Sequence, residues 1–449
     1  MKTNRLCLIF ALMLLAVGCR KKSSTSYQAP SENTLLLCEA AEQGNIGKVR
    51  KLISSGVDVN AKGHYGWTPL YKAAQMGNKN IVELLVANGA DIRRDVEAFC
   101  ITAANGQMEI VEYFIAKGAN PNNKTRNSST PLCEAAGRGH KEVVELLITK
   151  GADVNTKAHG DTALHRAAMR GRENVVEILI KSGSSINAKG KDGYTPLYRA
   201  IWGRQPNVAR ILLVKGAKAN INSINGTTPL HSAALLGYTD IVKLLIAKDA
   251  DVNAKSNSGL TPLFNALTGG NPELAKLLLD NGAGVKFHSA KYGTAMHALA
   301  RHGYVDLAEQ FIKGHISLNA KDEKGKTALH IAAEWGHTNL VKLLIDNEAN
   351  VNAKNNLGDT PLIEASKKYN KEVVVLLVDG GADIHAQGVF LNTPLHWAAE
   401  SGYLPIIKLL LDNGARADIK NRRGEIPIDL AMKRGNQQII ELLTYKEKK

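Results

Sequence analysis

The chain has 449 residues, 44% of them hydrophobic and 22% charged, with only 13 prolines, a makeup that excludes a largely disordered polypeptide. Its formal net charge of +15 suits an acidic partner, an anionic membrane surface or nucleic acid, and charge alone does not choose among them. Five cysteines, Cys7, Cys19, Cys38, Cys100 and Cys133, show neither CxxC pairing nor the density of a disulfide-stapled domain.

At the N-terminus, Lys2 and Arg5 precede a twelve-residue apolar run from Leu6 to Val17, the layout of a secretory signal peptide. A spanning helix needs about 20 apolar residues, so the run is too short for a good membrane span. It ends in Ala16-Val17-Gly18-Cys19, which resembles the lipobox of bacterial lipoproteins, with Ala16 where Leu is usual. The resemblance implies cleavage after residue 18 and lipidation of Cys19. Each buried methylene contributes about 0.8 kcal/mol, so several acyl chains give a stable anchor. It further implies a place at the bacterial cell envelope, in the outer membrane or at the periplasmic face if the cell is Gram-negative. Residues 19–33, CRKKSSTSYQAPSEN, read as a flexible basic tether.

From about residue 34 onward the chain repeats itself. Motifs aligned on TPLHxAA start at Leu35, Thr68, Glu97, Thr130, Thr162, Thr195, Thr228, Thr261, Thr294, Thr327, Thr360, Thr393 and Ile426, and ten of the twelve steps are 33 residues. That period and motif, clearest in TPLHSAALLGYTDIVKLLIAKDADVNAK, resemble the ankyrin-repeat family. The resemblance predicts an all-α repeat solenoid of 13 helix-loop-helix units with hairpin tips, stacked into a curved array over residues 34–449. Each Thr offers a capping oxygen and a following Pro fits the first helical position. Leu230 with Ala233-Ala234 forms a narrow apolar face, Gly237 ends the first helix, and Ile241–Ile246 carries the spacing of a second one. A single unit cannot bury that face, so neighbours stack. Residues 34–66 read as an N-terminal cap and 420–449 as a polar C-terminal cap. The step from Thr68 to Glu97 is four residues short, and units six (IWGRQPN) and eleven (ASKKYNKE) depart from the usual inter-helix glycine.

The same geometry weighs against catalytic chemistry. His165, His231, His297, His330 and His396 recur at the fourth motif position, one helix spacing apart, too far to converge on an ion and well placed to bond hairpin backbone. Cys38, Cys100 and Cys133 occupy the equivalent position of units one, three and four, beyond disulfide reach, and read as buried packing thiols. Lys324 to His330 (KGKTALH) ends like a phosphate-binding loop, but its first glycine is replaced by Ala320 and no strand precedes it. No catalytic residue, metal ligand or cofactor is expected, and the chain is read as a non-enzyme that does not bind nucleic acid.

Partner-binding ankyrin arrays usually use the hairpins and the residues after the Ala pair, on the concave face. Carried onto this chain, those positions are His64, Tyr65, Trp67 and Met76, then Met169, Arg170, Tyr194, Trp202, Leu235 and Leu236, then Arg301, His302, Trp335 and Phe390. Trp, Tyr and Arg are the usual hot-spot residues. Trp397, between the motif His and Ala, reads as core. The expected function is a membrane-tethered, monomeric protein-interaction scaffold, with an acidic protein as partner. The alternative is an envelope-associating structural protein binding anionic lipid or polysaccharide through its basic surface.

Overall fold

A computed structural model describes residues 30–289 and 291–447; the leader, Cys19 and the tether up to residue 29 lie outside the described residues. The described chain holds 26 α-helices, taken in sequence as inner and outer members of pairs. Strand structure among the described residues is confined to His288–Ser289 and Gly293–Thr294, an antiparallel hairpin pairing His288 with Thr294. The chain falls into two compact units, one ending at Phe99 and one beginning at Cys100.

In the first unit, the pairs Glu32–Glu42 with Ile46–Ser54 and Pro69–Met76 with Lys79–Ala87 stack inner on inner and outer on outer. The first helix starts at Glu32, two residues ahead of the boundary read from sequence, because the Ser31 hydroxyl accepts the Thr34 N–H at 3.2 Å and caps it. The shortened step is resolved locally. The helix Val96–Ala104 begins ahead of the motif position Glu97, and Asp95 accepts the Ala98 N–H at 3.1 Å and the Thr68 hydroxyl. Burial pushes the Asp95 carboxyl pKa up, although these two bonds pull it down.

The second unit repeats one scheme. An inner helix such as Pro229–Leu236 packs against the inner helices of both neighbours, and its Leu230, Ala233 and Ala234 are wholly buried. The small Ala pair allows the close approach that a wider side chain would prevent. Thr residues cap in two ways. Without a motif histidine the Thr hydroxyl accepts the N–H three residues on, as Thr195 does from Tyr198 at 3.3 Å. With one, the histidine Nδ1 in addition accepts the Thr backbone N–H, as His330 does from Thr327 at 3.1 Å, and completes a capping box.

Gly237, at φ 73°, closes the inner helix in the left-handed conformation. Units six and eleven put other residues there, Arg204 at φ 59° and Tyr369 at φ 63°. Gly203, just before Arg204, is needed for a different reason: a Cβ there would lie 2.0 Å from the Met169 carbonyl oxygen of the preceding unit. Units are also stapled by the Asn of the DVNAK segments. Asn253 Nδ2 donates to the Gly282 carbonyl at 3.0 Å and its Oδ1 accepts the Gly284 N–H at 2.7 Å. The same pair of bonds is made by Asn352 to Gly381 and Asp383. Among the described residues no helix is long and apolar enough to cross a membrane.

Candidate partner-binding surface

The recurring chemistry-bearing residues go into the stack. Each motif histidine is buried and its Nε2 bonds a carbonyl of the next hairpin: His165 to Tyr194 at 2.9 Å, His231 to Leu260 at 2.9 Å, His297 to Lys326 at 3.0 Å, His330 to Asp359 at 3.0 Å and His396 to Glu425 at 3.1 Å. With Nδ1 accepting a backbone N–H, the proton sits on Nε2 and the ring is neutral. Burial lowers the pKa of His165, His231 and His396, and takes His330 down to about 4. Cys38, Cys100 and Cys133 are buried and form no disulfide, as read from sequence. The Cys38 thiol faces the Trp67 carbonyl at 3.8 Å, the role His plays elsewhere, and burial raises its pKa to about 11. Among the described residues no group of three His, Cys, Asp or Glu side chains is placed to hold a metal ion.

Lys326, in the stretch resembling a phosphate loop, is held by Glu334 at 2.7 Å and Glu364 at 3.0 Å. Burial alone would lower its pKa, and the two carboxylates outweigh that and raise it. Further inter-unit pairs join Arg166 to Glu134 at 2.7 Å and Arg199 to Asp161 at 2.8 Å, all half-buried.

What remains exposed is the set of positions that vary from unit to unit. In the first unit Tyr65 stands at a hairpin tip, 90% exposed with φ 60°, and Met76 is exposed at a helix end, as is His64 at the tip. Trp67 is half-buried and stacks on Tyr71, ring centroids 4.0 Å apart. In the second unit Met169, Arg170, Leu235 and Arg301 are exposed at the ends of inner helices, with Trp202 and Trp335 at 50% and 57%. Leu236 and His302 are half-buried, and His302 stacks on Tyr304. Tyr194 is half-buried between Tyr198, 4.3 Å away, and the Arg199 guanidinium, 5.0 Å from its ring. Trp67 and Tyr194 therefore support their own units with most of their rings, while Phe390 stands out at a tip.

The structure brings Arg301 and Trp335 together in a concave pocket of about 450 Å³, with Phe264, Lys291 and Tyr292 in its wall. Lys291 lies 5.0 Å from the Tyr292 ring. Lys291, three residues before Thr294, falls on one of the motif offsets but is not among the residues singled out from sequence, and Tyr292, two before it, falls off them. A second groove of about 570 Å³ is lined by Lys367, Lys368, Tyr369, Trp397 and Arg434. Here the core assignment of Trp397 is corrected: the indole is half-buried, with the Lys367 ammonium 4.6 Å over its ring. Lys367 is itself anchored by Asp359 at 2.6 Å, which holds the cation over the indole instead of in the stack.

Comparison with known proteins matches this arrangement. A family model described as ankyrin repeats in three copies matches residues 4–95, 99–190, 207–290, 230–322, 295–388 and 387–449. Curated relatives include proteins named ankyrin repeat, SAM and basic leucine zipper domain-containing protein 1. The one from Mustela putorius furo is 36% identical over 111 residues, 23% of either chain. That from Otolemur garnettii is 34% identical over 127 residues, 26% of this chain and 27% of the relative, and that from Nomascus leucogenys 38% over 97 residues, 20% of each. The chain spans about a quarter of the length of these relatives. Period, capping, stacking and the family match converge, and the chain belongs to the ankyrin-repeat family, whose repeats generally serve as non-catalytic surfaces for binding other proteins.

Proposed function

We propose that the chain is a non-catalytic scaffold that holds an acidic protein partner along the exposed ends of its inner helices. The observation that supports this best is the exposure of Met169, Trp202 and Leu235 at one helix-end position of three successive units. Large apolar side chains left in water at a repeated position, with Arg170 beside them, match the anchors of protein interfaces. The net charge of +15 favours an acidic partner through faster, salt-sensitive association. An acylated Cys19 tethers the scaffold to the bacterial cell envelope, a reading supported by the LAVGC stretch.

Proximity labelling in the native cell, with wild type, Cys19→Ala and Trp202→Ala/Trp335→Ala compared, tests both parts. The expected result is envelope proteins labelled by wild type, a changed compartment for Cys19→Ala, and loss of the main labelled partner with the tryptophan variant. A purified partner that binds the folded tryptophan variant as tightly as wild type would refute the binding surface, and an unchanged location for Cys19→Ala would refute the tether.

A further inference from the structure

Four consecutive hairpin tips in the second unit make one edge: Glu323-Lys324, Asn356-Leu357, Val389-Phe390-Leu391 and Arg422-Arg423. Backbone bonds join them at both ends, Asn356 N–H to the Lys324 carbonyl at 3.0 Å and Arg422 N–H to the Phe390 carbonyl at 2.7 Å. In the middle, Val389 N–H donates to Asp359 Oδ1 at 2.9 Å, and a Cβ on Gly358 would lie 3.7 Å from the Gly388 Cα. The two central tips are apolar and open to water: Leu357 is 62% exposed, Phe390 54% and Leu391 46%. The flanking tips present exposed Lys324, Arg422 and Arg423, opposed on this edge by the exposed Glu323. Glu425, behind the arginines, is taken up by Lys433 and Asn421.

The backbone of the apolar tip is strained. Phe390 and Leu391 both lie in the left-handed region, at φ 58° and 59°. Neighbouring tips meet the Leu391 position with Gly325, Gly358 and Gly424, all at positive φ. Glycine would relieve this strain and remove exposed apolar surface at the same time. About half of each of these residues is left open to water.

We propose that this edge docks on an anionic lipid bilayer, with Leu357, Phe390 and Leu391 entering the boundary between headgroups and acyl chains. Lys324, Arg422 and Arg423 then lie at the depth of the headgroup phosphates. Projecting apolar tips with a cationic rim match interfacial insertion. A protein hot spot instead sits at a concave site, such as the pocket that Arg301 and Trp335 line on this chain. This contact is separate from the Cys19 anchor and from the exposed helix ends at Met169, Trp202 and Leu235, although Lys324 also lines the Arg301–Trp335 pocket and Phe390 is one of the partner-binding positions read from sequence.

The test reports locally, so that the apolar leader does not interfere. The full chain carries Cys7→Ala and Cys19→Ala, the remaining cysteines being buried, and a single environment-sensitive fluorophore at Leu357→Cys, or at Asn257→Cys on another tip as control. Vesicles are phosphatidylcholine alone or an equimolar mixture with phosphatidylglycerol. The fluorophore at 357 is expected to brighten and shift to the blue with the mixed vesicles, and the one at 257 to respond little. Adding Phe390→Gly and Leu391→Gly is expected to raise the lipid concentration at half-response about tenfold, with thermal stability unchanged or increased. No response at 357, an equal response at 257, or an unshifted titration with the glycine pair overturns the proposal.

Discussion

The buried histidines should make the second unit acid-labile, and His330 supplies a magnitude. In the folded chain its Nδ1 accepts the Thr327 backbone N–H at 3.1 Å and faces the Thr327 hydroxyl at 2.9 Å, while Nε2 bonds the Asp359 carbonyl at 3.0 Å. Protonating Nδ1 breaks the first bond and places a charge in a site with no exposure to water. The folded pKa is therefore about 4, against 6.5 for a free imidazole. Between those values the unfolded chain binds more protons than the folded one, so stability rises with pH. The contribution is full above pH 6.5 and is lost as pH falls toward 4. At pH 5, where most carboxylates remain ionised, the loss from this one group is about 2 kcal/mol. His165, His231 and His396 shift in the same direction and add to it.

The assay is urea unfolding of wild type and His330→Gln at pH 7.5 and pH 5, with hydrogen exchange of the helix Ala328–Trp335 as a local probe. Gln retains a donor for the Asp359 carbonyl and does not titrate, so the pH-dependent loss should shrink by about 2 kcal/mol in the variant, whatever its stability at neutral pH. Equal pH-dependent losses in the two proteins would refute the reasoning, as would an imidazole resonance of His330 titrating near 6.5.

Adjacent residues at the end of the sixth inner helix should respond with opposite signs. Gly203→Ala forces a methyl toward the Met169 carbonyl, 2.0 Å from its built position, and is expected to cost about 2 kcal/mol. Arg204→Gly relieves a left-handed, exposed residue and is expected to add about 0.5–1 kcal/mol; denaturant titrations giving both variants the same sign would contradict this account. Asp161→Asn keeps an acceptor for the Lys191 N–H, now at 2.9 Å, but removes the charge facing Arg199, and should cost about 1–2 kcal/mol. A double-mutant cycle with Arg199→Met that shows no coupling would exclude that pair as the cause. Arg301→Ala/Trp335→Ala should weaken partner binding while leaving unfolding within about 0.5 kcal/mol of wild type; a larger stability loss would make the pocket structural.

The stack was legible in the sequence because its requirements recur every 33 residues. Thr caps, Ala pairs and helix-ending glycines each answer to one local geometry, and the histidine positions pointed correctly to hairpin backbone. Asn253 and Asn352 recur as well, but their role as staples needed the distance from one unit to the carbonyl of the next. Single departures were harder to read. Asp95 replaces a cap from two positions before the motif, a choice invisible until the helix Val96–Ala104 is seen to start early. Trp397 sits at a position that is core by pattern, yet the Lys367 side chain, tied to Asp359, keeps one face of the indole at a groove. Whether an aromatic in a hairpin supports its unit or faces outward also depended on its neighbour. Tyr194 and Trp67 each have a tyrosine four residues on to stack against, whereas Phe390 has Pro394 there.

Strain separates the two uses to which this chain puts its departures from the repeat. Tyr369 takes a left-handed position that glycine holds in most units, and its ring recovers contacts: the hydroxyl donates to the Ser401 carbonyl at 2.9 Å and the ring lies edge-on to Tyr403 at 5.2 Å. That strain is offset inside the fold, so replacing Tyr369 exchanges one stabilising arrangement for another. Phe390 and Leu391 accept the same kind of backbone cost and turn their side chains to water. A cost that the fold does not recover must be recovered by something outside it, or the position would be better served by glycine. The strongest pointers to function in this array are therefore the places where a repeat rule is broken and the broken residue faces solvent.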